Sequence, residues 1–428
     1  MPAAEHEPGT VLDHRRLPAE LWPDHAAEAL QVLYQGLGYD GSGRAVSGSV
    51  FLPADPAPGR PVVSYAHGTT GLADRCAPST AGLTRLERAH VARWLAAGYA
   101  VAATDYEGLA TPGPHPYFNG EAVADDVVDI VRATRRLDPG LGRTWLVVGF
   151  SQGGHAALFT GLIAAGHAPE LDFRGTVALA PPVHLPRLVA LVTADGARPL
   201  SVLLPFLLAG LRTSHPRFDA RALLTDAGGR LLDVAASATL VDMFHAVAGL
   251  TNDDMGTTGL PTRPGVAEVL HACRVPVTRM DRPVLITAGT ADEVVPLPVV
   301  EGFAADLAGT GTSVRFDRHE GATHAGVLSA GYDPAGRDDL VAWADALVAE
   351  HPEPGFDLLD ADGDGTLTRD DVDVLALRRA QGLGEPPGSP RARALRAEYR
   401  GRWDDLARRA DADRDGRISR DEFRRLLG

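Results

Sequence analysis

The chain contains no lysine, so all 41 of its basic residues other than histidine are arginine. With so little asparagine beside it, that bias points to a GC-rich bacterial genome rather than to a function. Only two cysteines occur, Cys76 and Cys273, which is too few for a disulfide framework. Whether the two meet stays open at this level. No stretch is long and apolar enough to span a membrane, and no low-complexity block or repeat period appears. The opening Met1-Pro2-Ala3-Ala4-Glu5-His6-Glu7 lacks the basic start and apolar core of a secretory signal, so a cytoplasmic location is expected on that ground. Positive charge is also in deficit, with a formal net charge of -15, which argues against nucleic acid as a partner. Residues 352 to 428 are nearly balanced, 17 acids against 15 arginines, so most of the acidity lies earlier.

What is present is enough apolar residue, 45% of 428, for two or three domains. The chain is organised around Gly149-Phe150-Ser151-Gln152-Gly153, a G-x-S-x-G motif. It follows the β-branched run Thr144-Trp145-Leu146-Val147-Val148 and precedes the helical start Gly154-His155-Ala156-Ala157. Strand, tight turn, helix is the context in which such a serine is exposed as a nucleophile. A serine alcohol needs a base, an orienting acid and an oxyanion site. Upstream, strands are expected at 29–34, 45–52, 61–66 and 100–105, with helical spacing over 83–97 and 121–137. Downstream, a strand at 175–180 gives way to a largely helical stretch before strands resume at 282–288 and 313–316. The alternation predicts an α/β fold, a mostly parallel sheet with helices on both faces. The expected division is a core of residues 1–182 and 279–351, a helical cap or lid at 183–278, and a separate all-α module at 352–428.

Past the resumed strand, Asp292 in Gly289-Thr290-Ala291-Asp292-Glu293 is the candidate acid, preferred over its neighbour Glu293. His324 in Glu320-Gly321-Ala322-Thr323-His324 is the candidate base, preferred over His319 at the strand end. The order Ser, Asp, His is that of the α/β-hydrolase triad. The candidate oxyanion donors are the amide of Gln152, at a helix N-terminus, and that of Thr69 in His67-Gly68-Thr69-Thr70-Gly71, whose hydroxyl is a further candidate to assist.

The run from Ala66 to Ser79 and the run Asp105-Tyr106-Glu107-Gly108-Leu109-Ala110-Thr111-Pro112-Gly113-Pro114-His115-Pro116-Tyr117 resemble the secretory lipase family of α/β-hydrolases. The likeness extends over roughly residues 8 to 348. It implies ester hydrolysis, lipid or small acyl esters as substrates, and a helical cap over the pocket. Members of that family are usually exported, which sets a secreted location beside the cytoplasmic one.

In the last module, Asp360-Ala361-Asp362-Gly363-Asp364-Gly365-Thr366-Leu367-Thr368-Arg369-Asp370-Asp371 matches an EF-hand calcium loop. Asp360, Asp362, Asp364, the Thr366 carbonyl and Asp371 are its candidate Ca²⁺ ligands. The second loop supplies Asp411, Asp413, Asp415, the Arg417 carbonyl and Glu422. Asp371 stands where the longer glutamate is usual, so loop one is expected to bind more weakly or to tolerate Mg²⁺. Calcium is expected to stabilise or regulate, and the module also offers a surface for a protein partner, with a dockerin-like reading left open. The leading expectation is a serine ester hydrolase. Acyl transfer, peptide hydrolysis, and a calcium sensor on an inactive hydrolase scaffold stand as alternatives.

Overall fold

The computed structural model describes residues 6–54, 59–333, 336–350, 356, 359–362, 364–382 and 385–427. Met1 to Glu5, the linker Pro352 to Gly355, and Gly363 of loop one lie outside the described residues.

Nine strands make one sheet: β1 Val11–Arg16, β2 Ala26–Leu37, β3 Gly43–Pro53, β4 Arg60–Ala66, β5 Ala100–Thr104, β6 Leu141–Phe150, β7 Asp172–Leu179, β8 Val284–Gly289 and β9 Val314–His319. Their spatial order is β1-β2-β3-β5-β4-β6-β7-β8-β9. The first three strands pair antiparallel, as do β3 and β5. From β5 across to β9 every pairing is parallel.

Alternation along each strand decides which face a side chain joins. In β6, Trp145 and Val147 enter one core cluster, while Leu146, Val148 and Phe150 enter the other. Helices Gly120–Leu137 and Gln152–His167 cover the first face, and helices Arg85–Ala96 and Asp339–Glu350 the second. Because both faces are covered, the parallel strands read as unbroken apolar runs. Each fully buried side chain of this kind contributes about 1.5–3 kcal/mol through removal from water.

Between β7 and β8 lie the helices Leu185–Val192, Leu203–Ser214, Asp226–Ala235, Leu240–Val247, Asn252–Met255 and Val266–Ala272. Leu204, Phe206, Leu207, Leu208, Leu211, Leu232 and Met243 give them a hydrophobic cluster of their own, which continues into Leu72, Tyr117 and Phe118 of the sheet domain. The apolar run 200–211 thus feeds this cluster, its part from Leu203 onward as helix; among the described residues no helix is long and apolar enough to cross a bilayer. The two cysteines are free, buried thiols.

The C-terminal region is helical, with Arg369–Gly382, Pro390–Ala410 and Arg420–Leu427 around the two acidic loops. Thr366–Leu367 and Ile418–Ser419 pair as a short antiparallel ladder, with Leu367 opposite Ile418. Phe356, Leu367, Val372, Leu375, Trp403, Ile418 and Phe423 fill its core. Ala380, Ala392 and Leu395 leave that core and join the cluster of Ala133, Leu137 and Leu141 instead. Tyr399 closes the junction by donating to Asp138 Oδ1 at 3.2 Å.

Candidate active site

Ser151 occupies the corner between β6 and helix Gln152–His167 with φ 54° and ψ -116°. That conformation is sparsely populated for a non-glycine residue and persists only where its surroundings fix it. Here Ser151 N–H donates to Leu179 O at 2.9 Å, tying the corner to the end of β7. The flanking glycines are set by contact. A Cβ on Gly149 would stand 1.9 Å from Gly153 O, and one on Gly153 would stand 1.8 Å from Ala66 O. The motif is thus a consequence of β6, its helix and the end of β4 passing one another at backbone distance.

His324 arrives on the loop after β9. Its Nε2 lies 2.9 Å from Ser151 Oγ, and its Nδ1 lies 2.8 Å from Asp292 Oδ2. A carboxylate only accepts, so Nδ1 carries the proton and Nε2 presents its lone pair to the serine hydroxyl. Asp292 is fixed through its other oxygen, which accepts from the Val294 and Val295 N–H groups at 2.8 and 2.7 Å. The Asp292 side chain is 1% exposed and that of His324 12%, so this row is shielded from water. The neighbouring candidates stand elsewhere. Glu293 approaches only the backbone N–H of His324, at 3.4 Å, and His319 lines an open polar cleft with Arg315, Arg337 and Asp339.

The loop carrying Thr69 lies against the serine corner, since a Cβ on Gly68 would be 2.9 Å from the Phe150 ring. Gln152 opens its helix, so its N–H has no partner in a preceding turn. Two residues that the sequence singled out only through a family likeness meet these positions. Tyr117 Oη lies 2.5 Å from Thr69 Oγ1, and His115 Nε2 lies 2.9 Å from Gln152 Nε2. The inserted helices reach the same loop, where Leu240 N–H donates to Thr70 O at 2.8 Å and Gly71 bridges Thr239.

Helix Arg85–Ala96 ties the two loops together from behind. The Glu87 carboxylate accepts the Gly68 N–H at 2.8 Å. His90 Nδ1 and Arg93 both donate to Leu328 O, each at 2.9 Å, four residues beyond His324. Arg93 is held in turn by a two-pronged contact with Asp338, both distances 2.6 Å. Trp94 donates to His90 Nε2 at 3.1 Å, and burial pushes that imidazole down to about 4, keeping it neutral. Helical periodicity gave no sign of this, because buried polar residues on an apolar face look like surface positions in sequence.

In each acidic loop three aspartates converge, Asp360 with Asp362 and Asp364, and Asp411 with Asp413 and Asp415, their carboxylate oxygens within 4.8 Å of one another. Among the described residues, Asp360 Oδ1 and Asp411 Oδ1 are buried without a hydrogen-bond partner. An all-oxygen cluster with an orphaned carboxylate oxygen suits a hard divalent cation. Asp371 and Glu422 take equivalent places, accepting from Ala361 N–H at 2.9 Å and from Ala412 N–H at 3.0 Å. Donors from Ser419 and Ala412 hold the Glu422 carboxyl down at about 2. Gly365 and Gly416 both turn at φ 84°, as the loop geometry requires.

Residues 75–347 match the secretory lipase family, and residues 354–427 match an EF-hand domain pair. A probable inactive lipase of Mycobacterium tuberculosis is 27% identical over 333 residues, 73% of each chain. Lipase A of Moesziomyces aphidis is 24% identical over 343 residues, 74% of this chain and 72% of that one. Calerythrin of Saccharopolyspora erythraea is 30% identical over 81 residues, which is 19% of this chain and 46% of calerythrin. Among solved structures, Candida antarctica lipase A superposes with TM-score 0.60 at 21% identity, covering 74% of this chain and 78% of its own. The rice cell wall degrading esterase LipA of Xanthomonas oryzae does so with TM-score 0.66 at 20% identity, covering 81% and 100%.

Proposed function

The chain belongs to the secretory lipase family, and from that premise we propose that it is a serine hydrolase of carboxylic esters, taking lipid or small acyl esters. The observation that carries this reading is the row Ser151–His324–Asp292, hydrogen-bonded at 2.9 and 2.8 Å. As Ser151 Oγ attacks the ester carbonyl, His324 Nε2 takes its proton. Asp292 holds the tautomer and stabilises the imidazolium. The N–H groups of Thr69 and Gln152 receive the negative charge on the former carbonyl oxygen. His324 then protonates the departing alcohol, leaving an acyl-serine, and water enters by the reverse sequence. In this reading residues 183–278 form the cap over the pocket.

Calcium would be held by Asp360, Asp362, Asp364, the Thr366 carbonyl and Asp371, and by Asp411, Asp413, Asp415, the Arg417 carbonyl and Glu422. Bound there, it would supply charge neutralisation that fixes the loops, with no part in the ester chemistry. A second reading, a calcium-binding protein on an inactive hydrolase scaffold, draws its support from the name of the mycobacterial relative. Acyl transfer to an alcohol would use the same acyl-serine.

The test is hydrolysis of p-nitrophenyl esters from acetate to palmitate by the wild type and Ser151→Ala, each with calcium and with EGTA. Activity that vanishes in the variant is the expected result. A folded, calcium-loaded wild type that cleaves no ester and resists a serine-directed phosphonate would move the assignment to the inactive scaffold.

A further inference from the structure

The segment from Asp105 to Phe118, between β5 and helix Gly120–Leu137, carries three of the non-glycine residues with positive φ: Tyr106 at 71°, Ala110 at 54° and Phe118 at 62°. It is nevertheless buried at Tyr106, Glu107, Leu109, His115 and Tyr117. Strained backbone kept in the interior marks a segment whose shape is fixed by what it must hold. Its start is pinned where Asp105 Oδ1 accepts the Ser79 N–H at 2.8 Å and where Glu107 N–H donates to Asp126 Oδ2 at 2.7 Å. Tyr106 donates to His67 O at 2.9 Å and stacks on His115 with ring centres 5.7 Å apart.

Thus anchored, the segment delivers one side chain to each half of the oxyanion site. His115 Nδ1 faces Glu107 O at 2.8 Å. A carbonyl only accepts, so Nδ1 bears the proton and Nε2 takes an N–H from the Gln152 side chain. Burial pushes this imidazole down to about 4, so it is neutral and the donor–acceptor order is kept. Tyr117 is 1% exposed, and its phenol meets Thr69 Oγ1. Burial raises the phenol above its ordinary range, so it keeps its proton. A buried hydroxyl must place that proton on an acceptor. When Tyr117 donates to Thr69, the Thr69 hydroxyl proton is left free for another acceptor.

We propose that Tyr117 and His115 are positioning residues for the oxyanion site. Tyr117 turns the Thr69 hydroxyl into a third donor beside the N–H groups of Thr69 and Gln152. His115 fixes Gln152, and with it the first turn of the helix that presents its N–H. This rests on the serine hydrolase reading. Hydrogen bonds in such a relay reinforce one another, so the effect belongs to the transition state, where the oxyanion forms, and not to ground-state binding.

The decisive variant is Tyr117→Phe, which keeps the ring and removes only the hydroxyl. It is measured with Thr69→Val, with the double variant, and with thermal melts of each. The expected result for Tyr117→Phe is a fall in kcat toward the ~10²–10³-fold loss typical of one missing oxyanion donor, with KM near the wild-type value. The double variant should be no slower than Thr69→Val alone. His115→Gln, which keeps an acceptor for the Gln152 amide, should recover kcat relative to His115→Ala. Unchanged kcat in Tyr117→Phe, or losses that multiply in the double variant, overturn the proposal while leaving the hydrolase reading intact, provided Ser151→Ala is silent. A wild type without esterase activity overturns both.

Discussion

Replacing His155 by glutamine should flatten the acid limb of the protein's stability. His155 lies fully buried on helix Gln152–His167, with Phe118 and Phe159 ring centres 5.0 and 4.8 Å away. Its Nε2 donates to Cys273 O at 2.7 Å, joining helix Gln152–His167 to the inserted helices. The remaining Nδ1 lone pair has no partner among the described residues. Burial pushes the imidazole down from 6.5 to about 4. Between those two values the unfolded chain binds the extra proton and the folded one does not, so stability is full above about pH 6.5 and is lost as pH falls toward 4. At about 1.4 kcal/mol per unit, the gap is worth about 3 kcal/mol. Glutamine keeps an N–H donor for the Cys273 carbonyl and does not titrate. Its imperfect fit should cost about 1 kcal/mol at pH 7.5. By pH 4.5 the difference between the two proteins should have moved about 2–3 kcal/mol in the variant's favour. Urea unfolding of both proteins across that range reads this directly, because carboxylate titrations common to both cancel. A difference that stays constant with pH refutes the account.

Gly153→Ala would place a Cβ 1.8 Å from Ala66 O, forcing the helix off β4 by more than an ångström. A shift of that size costs about 10²-fold in rate against about 1–3 kcal/mol in stability; ester hydrolysis at wild-type rate would contradict the close-approach argument. In calcium titration by calorimetry, Glu422→Gln should abolish the tighter of two binding events. Asp371→Asn should affect only the weaker one, since the shorter Asp371 arm reaches a bound ion less well. The reverse assignment would show that loop one is the stronger site.

Much of the candidate site was legible because its residues are forced into sequence-local patterns. Gly149 and Gly153 are backbone-contact glycines, and such contacts leave a fixed spacing around Ser151. Asp292 and His324 each follow a strand end, where parallel strands bring their loops to one edge. The paired EF-hand loops carry their ligand spacing within twelve residues, a purely local constraint. Glu87, His90 and Arg93 were not legible. A buried polar side chain is recognised only by its partner, and the partners Gly68, Leu328 and Asp338 lie up to 245 residues away. Helix Gly120–Leu137 shows the same limit. Val123, Val127, Ile130 and Val131 announced one apolar face, but Asp126 and Asp129 are buried as well.

What the sequence determined by itself was the order of the elements, the alternation that makes the sheet parallel, the corner that holds Ser151, and the two acidic loops. These depend on period, on sterics at single residues and on short spacing. The tertiary structure decided what no local rule specifies: which loop reaches which. It brought Tyr117 to Thr69 and His115 to Gln152, set the helix Arg85–Ala96 behind both the Thr69 and His324 loops, and seated Ala392 and Leu395 on the hydrolase core. Such contacts are chosen by burial and hydrogen-bond satisfaction summed over the whole molecule, and they exist only once the sheet has closed.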